Sequence, residues 1–145
     1  MDNILLFVIS GEKRSSWERA IELSKQFDAA LFALYTIDDE QVKRIANLRG
    51  RDEIDVSIEM EEEGWKYLYH IEDMAINNEV KSAIFLEEGS PINLLKKHIK
   101  DKDIDLLVFD YQKSSGGKGS KTERMIRQII EYVPCPILIE KDGGK

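Results

Sequence analysis

The stretch Ile104-Asp105-Leu106-Leu107-Val108-Phe109-Asp110, followed by Tyr111-Gln112-Lys113-Ser114-Ser115-Gly116-Gly117-Lys118-Gly119-Ser120-Lys121-Thr122 and then by Glu123 to Glu140, decides the fold class of this chain. It reads as strand, glycine-rich loop, helix and strand. The run Ile104, Leu106, Leu107, Val108, Phe109 lacks the polar alternation of a half-wetted strand. A strand covered on both faces has this pattern, and parallel sheets flanked by helices supply that environment. In open α/β sheets the ligand crevice lies beyond the carboxyl ends of the strands, where a flexible loop and a helix N-terminus approach a phosphate. The loop after Asp110 holds that place and is the first candidate site.

Outward from this stretch the same alternation repeats. Asn3 to Ile9 is an unbroken apolar run ended by Ser10-Gly11, a buried first strand. Ser15-Ser16-Trp17-Glu18 has the capping-box spacing, and Trp17, Ala20, Ile21, Leu23, Ser24 and Phe27 continue it at helical intervals, which predicts a helix over 15–27. Ala29 to Ile37 is a second buried strand, so a right-handed parallel crossover is expected. Asp38 is placed to cap a helix ending near Gly50. A longer helix is expected over about 52–77, with Ile54, Ile58, Trp65, Leu68, Ile71 and Ala75 on its apolar face, Glu59 to Glu63 on its solvated face, and Gly64 as a weak point. Glu79 to Leu86 reads as strand three. Ser90 as cap with Pro91 at the first helical position opens the next helix, populated by Ile92, Leu94, Leu95, His98 and Ile99. The last helix runs through Val133 and the last strand from Cys135 to Glu140. Five strands alternating with helices give one α/β domain over 1–140, a doubly wound, Rossmann-like parallel sheet, with 141–145 as a disordered tail.

Composition narrows the function classes. The chain has 145 residues, 42% apolar and 34% charged, which is one domain's worth of globular protein. No apolar stretch reaches the roughly 20 residues of a membrane span. Met1-Asp2-Asn3 carries no basic region, and the single Cys135 excludes an intramolecular disulfide framework, so a reducing cytoplasmic location is expected. A net charge of -7 argues against general nucleic-acid binding. The bases are unevenly spread, since Lys113, Lys118, Lys121, Arg124 and Arg127 gather in and after the glycine loop.

Three segments together resemble one family: Ile4 to Glu12; Glu88-Gly89-Ser90-Pro91-Ile92-Asn93-Leu94-Leu95 with Asp105-Leu106-Leu107-Val108; and the ending Val133-Pro134-Cys135-Pro136-Ile137-Leu138-Ile139. The chain is similar over nearly its full length to the universal stress proteins. The resemblance implies an adenine-nucleotide-binding fold with a five-stranded parallel sheet, strand order 3-2-1-4-5. Nucleotide-binding members carry G-x2-G-x9-G-[S/T] after strand four, where glycines let backbone N–H groups close on phosphates and the final pair opens a helix. Counted back from Pro134 without gaps, the four named positions are Asp110, Lys113, Glu123 and Arg124, and none matches. Placing the final pair at Gly119-Ser120 instead shortens the nine-residue spacer to five. The family's aspartate at the end of strand one corresponds to Ser10, which hydrogen-bonds but brings no charge. The candidate nucleotide or anion site implied by the resemblance is Ser10, Gly11, Ile37, Gly89, Asp110, Lys113, Ser115, Gly116, Gly117 and Lys118. Dimerisation through strand 136–140 is expected too, because a sheet edge is a pairing liability that a second copy resolves.

Other signals are weaker. A Walker motif ending at Lys121-Thr122 would need glycine at Ser115 and Ser120, a near miss. The glycines and serines of the loop suit a nest for a simple anion, with the lysines adding attraction. His70 and His98 read as surface or half-buried helix residues, Cys135 as a buried structural thiol, and Trp17 and Trp65 as packing residues. The carboxylates of the acidic run lack calcium-loop spacing. No nucleophile or acid–base constellation is present in the pattern, so no enzyme is expected. Two readings remain: a non-enzymatic regulatory or stress-response module with a degenerate nucleotide site and an unknown protein partner, or an ATP-binding protein, up to a slow ATPase, using loop 114–121.

Overall fold

The computed structural model describes residues 1–9, 14–111 and 121–141, with backbone alone for Lys121 and Thr122. Its elements in order are β1 (Asn3–Val8), α1 (Ser15–Phe27), β2 (Ala30–Ile37), α2 (Asp39–Arg49), α3 (Glu53–Asn77), β3 (Ser82–Glu88), α4 (Pro91–Asp101), β4 (Leu106–Tyr111), α5 (Lys121–Tyr132) and β5 (Ile137–Lys141). The five strands form one sheet in the order β3-β2-β1-β4-β5, and every pairing is parallel.

Continuous apolar runs form the central strands because both faces are covered. Ile4, Leu6 and Val8 of β1 join one core cluster with Trp17, Leu68 and Ile71 of α1 and α3. Leu5 and Phe7 join the other, with Leu95, Ile99 and Ile129 of α4 and α5. Asp38 and Asp52 cap α2 and α3, accepting from Glu40 N at 3.1 Å and Ile54 N at 2.9 Å. Backbone N–H groups of Asp2 and Asn3 donate to Asp105 Oδ2 at 2.7 and 2.9 Å, and these bonds hold the Asp105 carboxyl below the usual carboxylate range.

Several boundaries and environments differ from the sequence-based expectation. β3 begins at Ser82 and ends at Glu88, not 79–86, because its register is set by pairing Leu31 with Ser82 and Ile37 with Glu88. Lys141, assigned to the tail from the sequence, closes β5, and 142–145 lie outside the described residues. Ser15 does not cap α1; its hydroxyl is donated elsewhere, as described below. Gly64 is no weak point, since a Cβ there would sit 2.5 Å from Tyr35 Cδ2, so glycine is what lets α3 approach β2. His98 is buried, not half-exposed, with its Nε2 against Glu87 of β3. Cys135 is only partly buried, and that burial pushes its thiol pKa up. The apolar residues of α3 do not share one face: Leu68, Ile71 and Ala75 are buried, whereas Ile54 and Ile58 are exposed.

Candidate functional site

β1 lies between β2 and β4, so the chain leaves it in one direction for β2 and β3 and returns past it for β4 and β5. Crevices of open α/β sheets form at such a switch point, beyond the carboxyl ends of the strands. A cleft of about 610 Å³ is found there, within the usual range for small-molecule sites. Phe7, Val8 and Ile9 from the end of β1 and Thr36 from the end of β2 line it. Gly89 to Ile92, where β3 turns into α4, form a second side. The N-terminal half of α2 and the first turns of α5 close it, bringing Arg44, Arg124 and Gln128 to the cleft.

The N-termini of α2 and α4 both open on this cleft and differ electrostatically. That of α2 is already supplied with anions: Asp38 caps it, and Asp39 and Glu40 follow in the first turn. That of α4 has Pro91 in the first turn, no acidic residue there, and a Ser90 side chain that makes no capping bond. A negative group is therefore favoured beside Ser90 and Arg124 and disfavoured beside Asp38 to Glu40. The acidic side suits hydroxyl or amino donors.

Of the ten residues expected from the resemblance to form the nucleotide or anion site, three are described. Gly89 lines the cleft with φ of 145°, a conformation that favours glycine, and its N–H donates to the Ile37 carbonyl at 2.9 Å. Ile37 is fully buried in the core beside the cleft, and its carbonyl accepts that bond. Asp110 is turned toward α1. Its Oδ1 accepts from Ser15 Oγ at 2.7 Å and Ser16 N at 2.9 Å, and its Oδ2 accepts from Ser16 Oγ at 2.5 Å. Ser10, Gly11, Lys113, Ser115, Gly116, Gly117 and Lys118 lie outside the described residues.

Arg44, Thr36, Gln128 and Phe7 were not singled out from the sequence. A partial signal existed, since Gln41 and Arg44 are three apart on α2 and Arg124 and Gln128 four apart on α5, which puts each pair on one helix face. Which face meets the cleft depends on packing. Among the described residues no group of three or more His, Cys, Asp or Glu could hold a metal ion. No described helix is long and apolar enough to cross a membrane.

Comparison with known proteins agrees with this architecture. The model of the universal stress protein family matches residues 1–141. A universal stress protein of Methanocaldococcus jannaschii is 27% identical over 129 residues, covering 88% of this chain and 74% of that protein. Universal stress protein YxiE of Bacillus subtilis is 25% identical over 147 residues, covering 96% and 99%. Among solved structures, a universal stress protein family protein from Arabidopsis thaliana with AMP bound superimposes with a TM-score of 0.60 at 15% identity, covering 99% and 94%. A universal stress protein in complex with cAMP gives 0.63 at 14% identity, covering 97% and 96%. With a family model matching almost end to end on a 3-2-1-4-5 parallel sheet, the chain belongs to the universal stress protein family.

Proposed function

We propose that this protein is a non-enzymatic regulatory module of the stress-protein type, acting as a homodimer on a protein partner, and that its cleft takes adenine nucleotides weakly. The observation that carries the weak-binding reading is the asymmetry of the cleft: three acids crowd the α2 N-terminus, while Arg44 and Arg124 stand as its described bases. Binding of AMP and of cAMP by structural neighbours supports an adenine nucleotide as the ligand class. The phosphate end is poorly equipped. The family's glycine positions fall on Asp110, Lys113, Glu123 and Arg124, and Ser10 stands where a carboxylate would bond the adenosine end. Each missing charge-assisted bond is worth roughly 1.5–3 kcal/mol, which is about a tenfold to hundredfold loss of affinity.

Calorimetric titration with Mg-ATP tests the reading. The expected dissociation constant is about millimolar, with anion binding at the lysine-rich loop that weakens with salt. Gly117→Val with Lys118→Ala is expected to abolish that anion binding. A constant below about 10 micromolar, on the scale where 1 micromolar is roughly 8 kcal/mol, overturns it in favour of an ATP-binding protein that uses loop 114–121.

A further inference from the structure

α3 is apolar on two sides. Its buried side, with Val56, Leu68, Ile71 and Ala75, packs on β2 and β3. Ile54, Ile58, Trp65, Tyr69 and Ile76 form a second stripe: at 3.6 residues per turn they fall within an arc of about 60°, centred about 130° from the buried one. Four of them are exposed, at 67% for Ile54, 48% for Ile58, 54% for Tyr69 and 64% for Ile76. Trp65 is half-buried and stacks on Tyr69 with ring centroids 5.6 Å apart. Single exposed apolar residues are ordinary, but a stripe with 4-7-4-7 spacing over about 33 Å of helix is not. The opposite flank of α3 is occupied, since Trp17 of α1 meets Tyr67 and His70.

We propose that this stripe is the docking surface for a basic amphipathic helix of another protein. The stripe repeats every 11 residues, with Glu61 and Glu72 between its apolar pairs, so the apolar face of a helix laid along it meets Ile54 to Ile76 while its bases meet these carboxylates. The charge around it selects the occupant. α3 carries eight carboxylates and one lysine, with Glu61 and Glu72 in line with the stripe and Glu62 and Asp73 along its border. Two copies of this face would set acid against acid in a chain of net charge -7, and an anionic lipid surface would be repelled. A helix with Lys and Arg flanking its apolar seam is complementary in both respects. The inference adds a partner class to the regulatory reading but stands on α3 alone, and the titration below does not involve the cleft.

The full chain is titrated with a synthetic helix of about 22 residues, enough to span the stripe, with Leu at seam positions and Lys elsewhere. Tryptophan emission reads the contact at Trp65, because Trp17 is 1% exposed and already shielded. A saturable blue shift is expected, weakened about tenfold or more by Ile58→Ser with Ile76→Ser and again by Glu62→Lys with Asp73→Lys. All four positions are at the surface, and unchanged melting curves confirm that the variants fold. The proposal is overturned by any of four results: no shift with the basic helix, an equal shift with the same helix carrying Glu for Lys, a shift with phosphatidylcholine vesicles, or self-association that the double serine variant dissolves.

Discussion

Asp110 shows how one carboxylate at the end of a strand can serve a helix far from it in the chain. It follows Phe109 near the carboxyl end of β4, and its carboxylate accepts three bonds from Ser15 and Ser16 and so caps α1 from the strand beneath that helix. The residue at the N-cap of α1, Arg14, makes no side-chain capping bond, so the helix start depends on this remote acid. Removing a local cap costs about 0.5–2 kcal/mol. Here Ser16 is 1% exposed and would be left with buried donors unsatisfied, so Asp110→Ala is expected near the upper end, about 2 kcal/mol. For a domain of this size that lowers the melting temperature by about 4–8 °C. A thermal melt within a degree of the parent would show that the cap carries no stability.

At the scale of the element, α3 shows steric fit overriding propensity. Replacing a helical glycine with alanine favours the helix by about 1 kcal/mol. At Gly64 the new Cβ would lie 2.5 and 2.7 Å from the Tyr35 ring and 2.9 Å from Leu86 Cδ1. Tyr35 is itself buried at 7% exposure, so the ring has little room to retreat. The same burial, with Glu63 nearby, pushes its hydroxyl pKa up to about 12. Overpacking of this kind costs about 1–3 kcal/mol, which outweighs the propensity gain. Gly64→Ala is expected to destabilise by about 1 kcal/mol, read in urea as a lower midpoint at unchanged slope. A higher midpoint would mean that α3 shifts outward at no cost.

For the whole molecule, the open edges of the sheet are β3 and β5. Pro136 gives its carbonyl to Leu107 N–H at 2.9 Å, so alternate residues along β5 serve β4 and the backbone groups of Ile137 and Ile139 point to the free edge. The proposed dimer would pair them with a second copy. Light scattering at micromolar concentration is expected to give twice the chain mass for the parent and a single chain mass for Ile139→Pro, which removes an edge donor without touching the β4 ladder. A parent that runs as a monomer, or a proline variant that remains dimeric with its circular dichroism intact, would locate the interface elsewhere.

The amino-acid sequence by itself determined the alternation of strand and helix, because unbroken runs such as Asn3 to Ile9 and Leu106 to Phe109 are stable only under cover on both faces. It determined helix starts written in local spacing, Asp38 as the cap of α2 and Pro91 in the first turn of α4, since those act within a single turn. Strand order was read from resemblance and agrees with the structure. What only the tertiary structure decided are the relations between residues far apart in the chain. Asp110 meets α1 about 95 positions away, Gly64 is explained by Tyr35 and Leu86, and Arg44 and Gln128 reach one cleft from helices on different faces. The periodicity of α3 placed Ile54 and Ile58 with Leu68 and Ile71, because spacing alone states that a helix is apolar at intervals. Which of its apolar stripes is covered depends on which neighbours the sheet brings beside it.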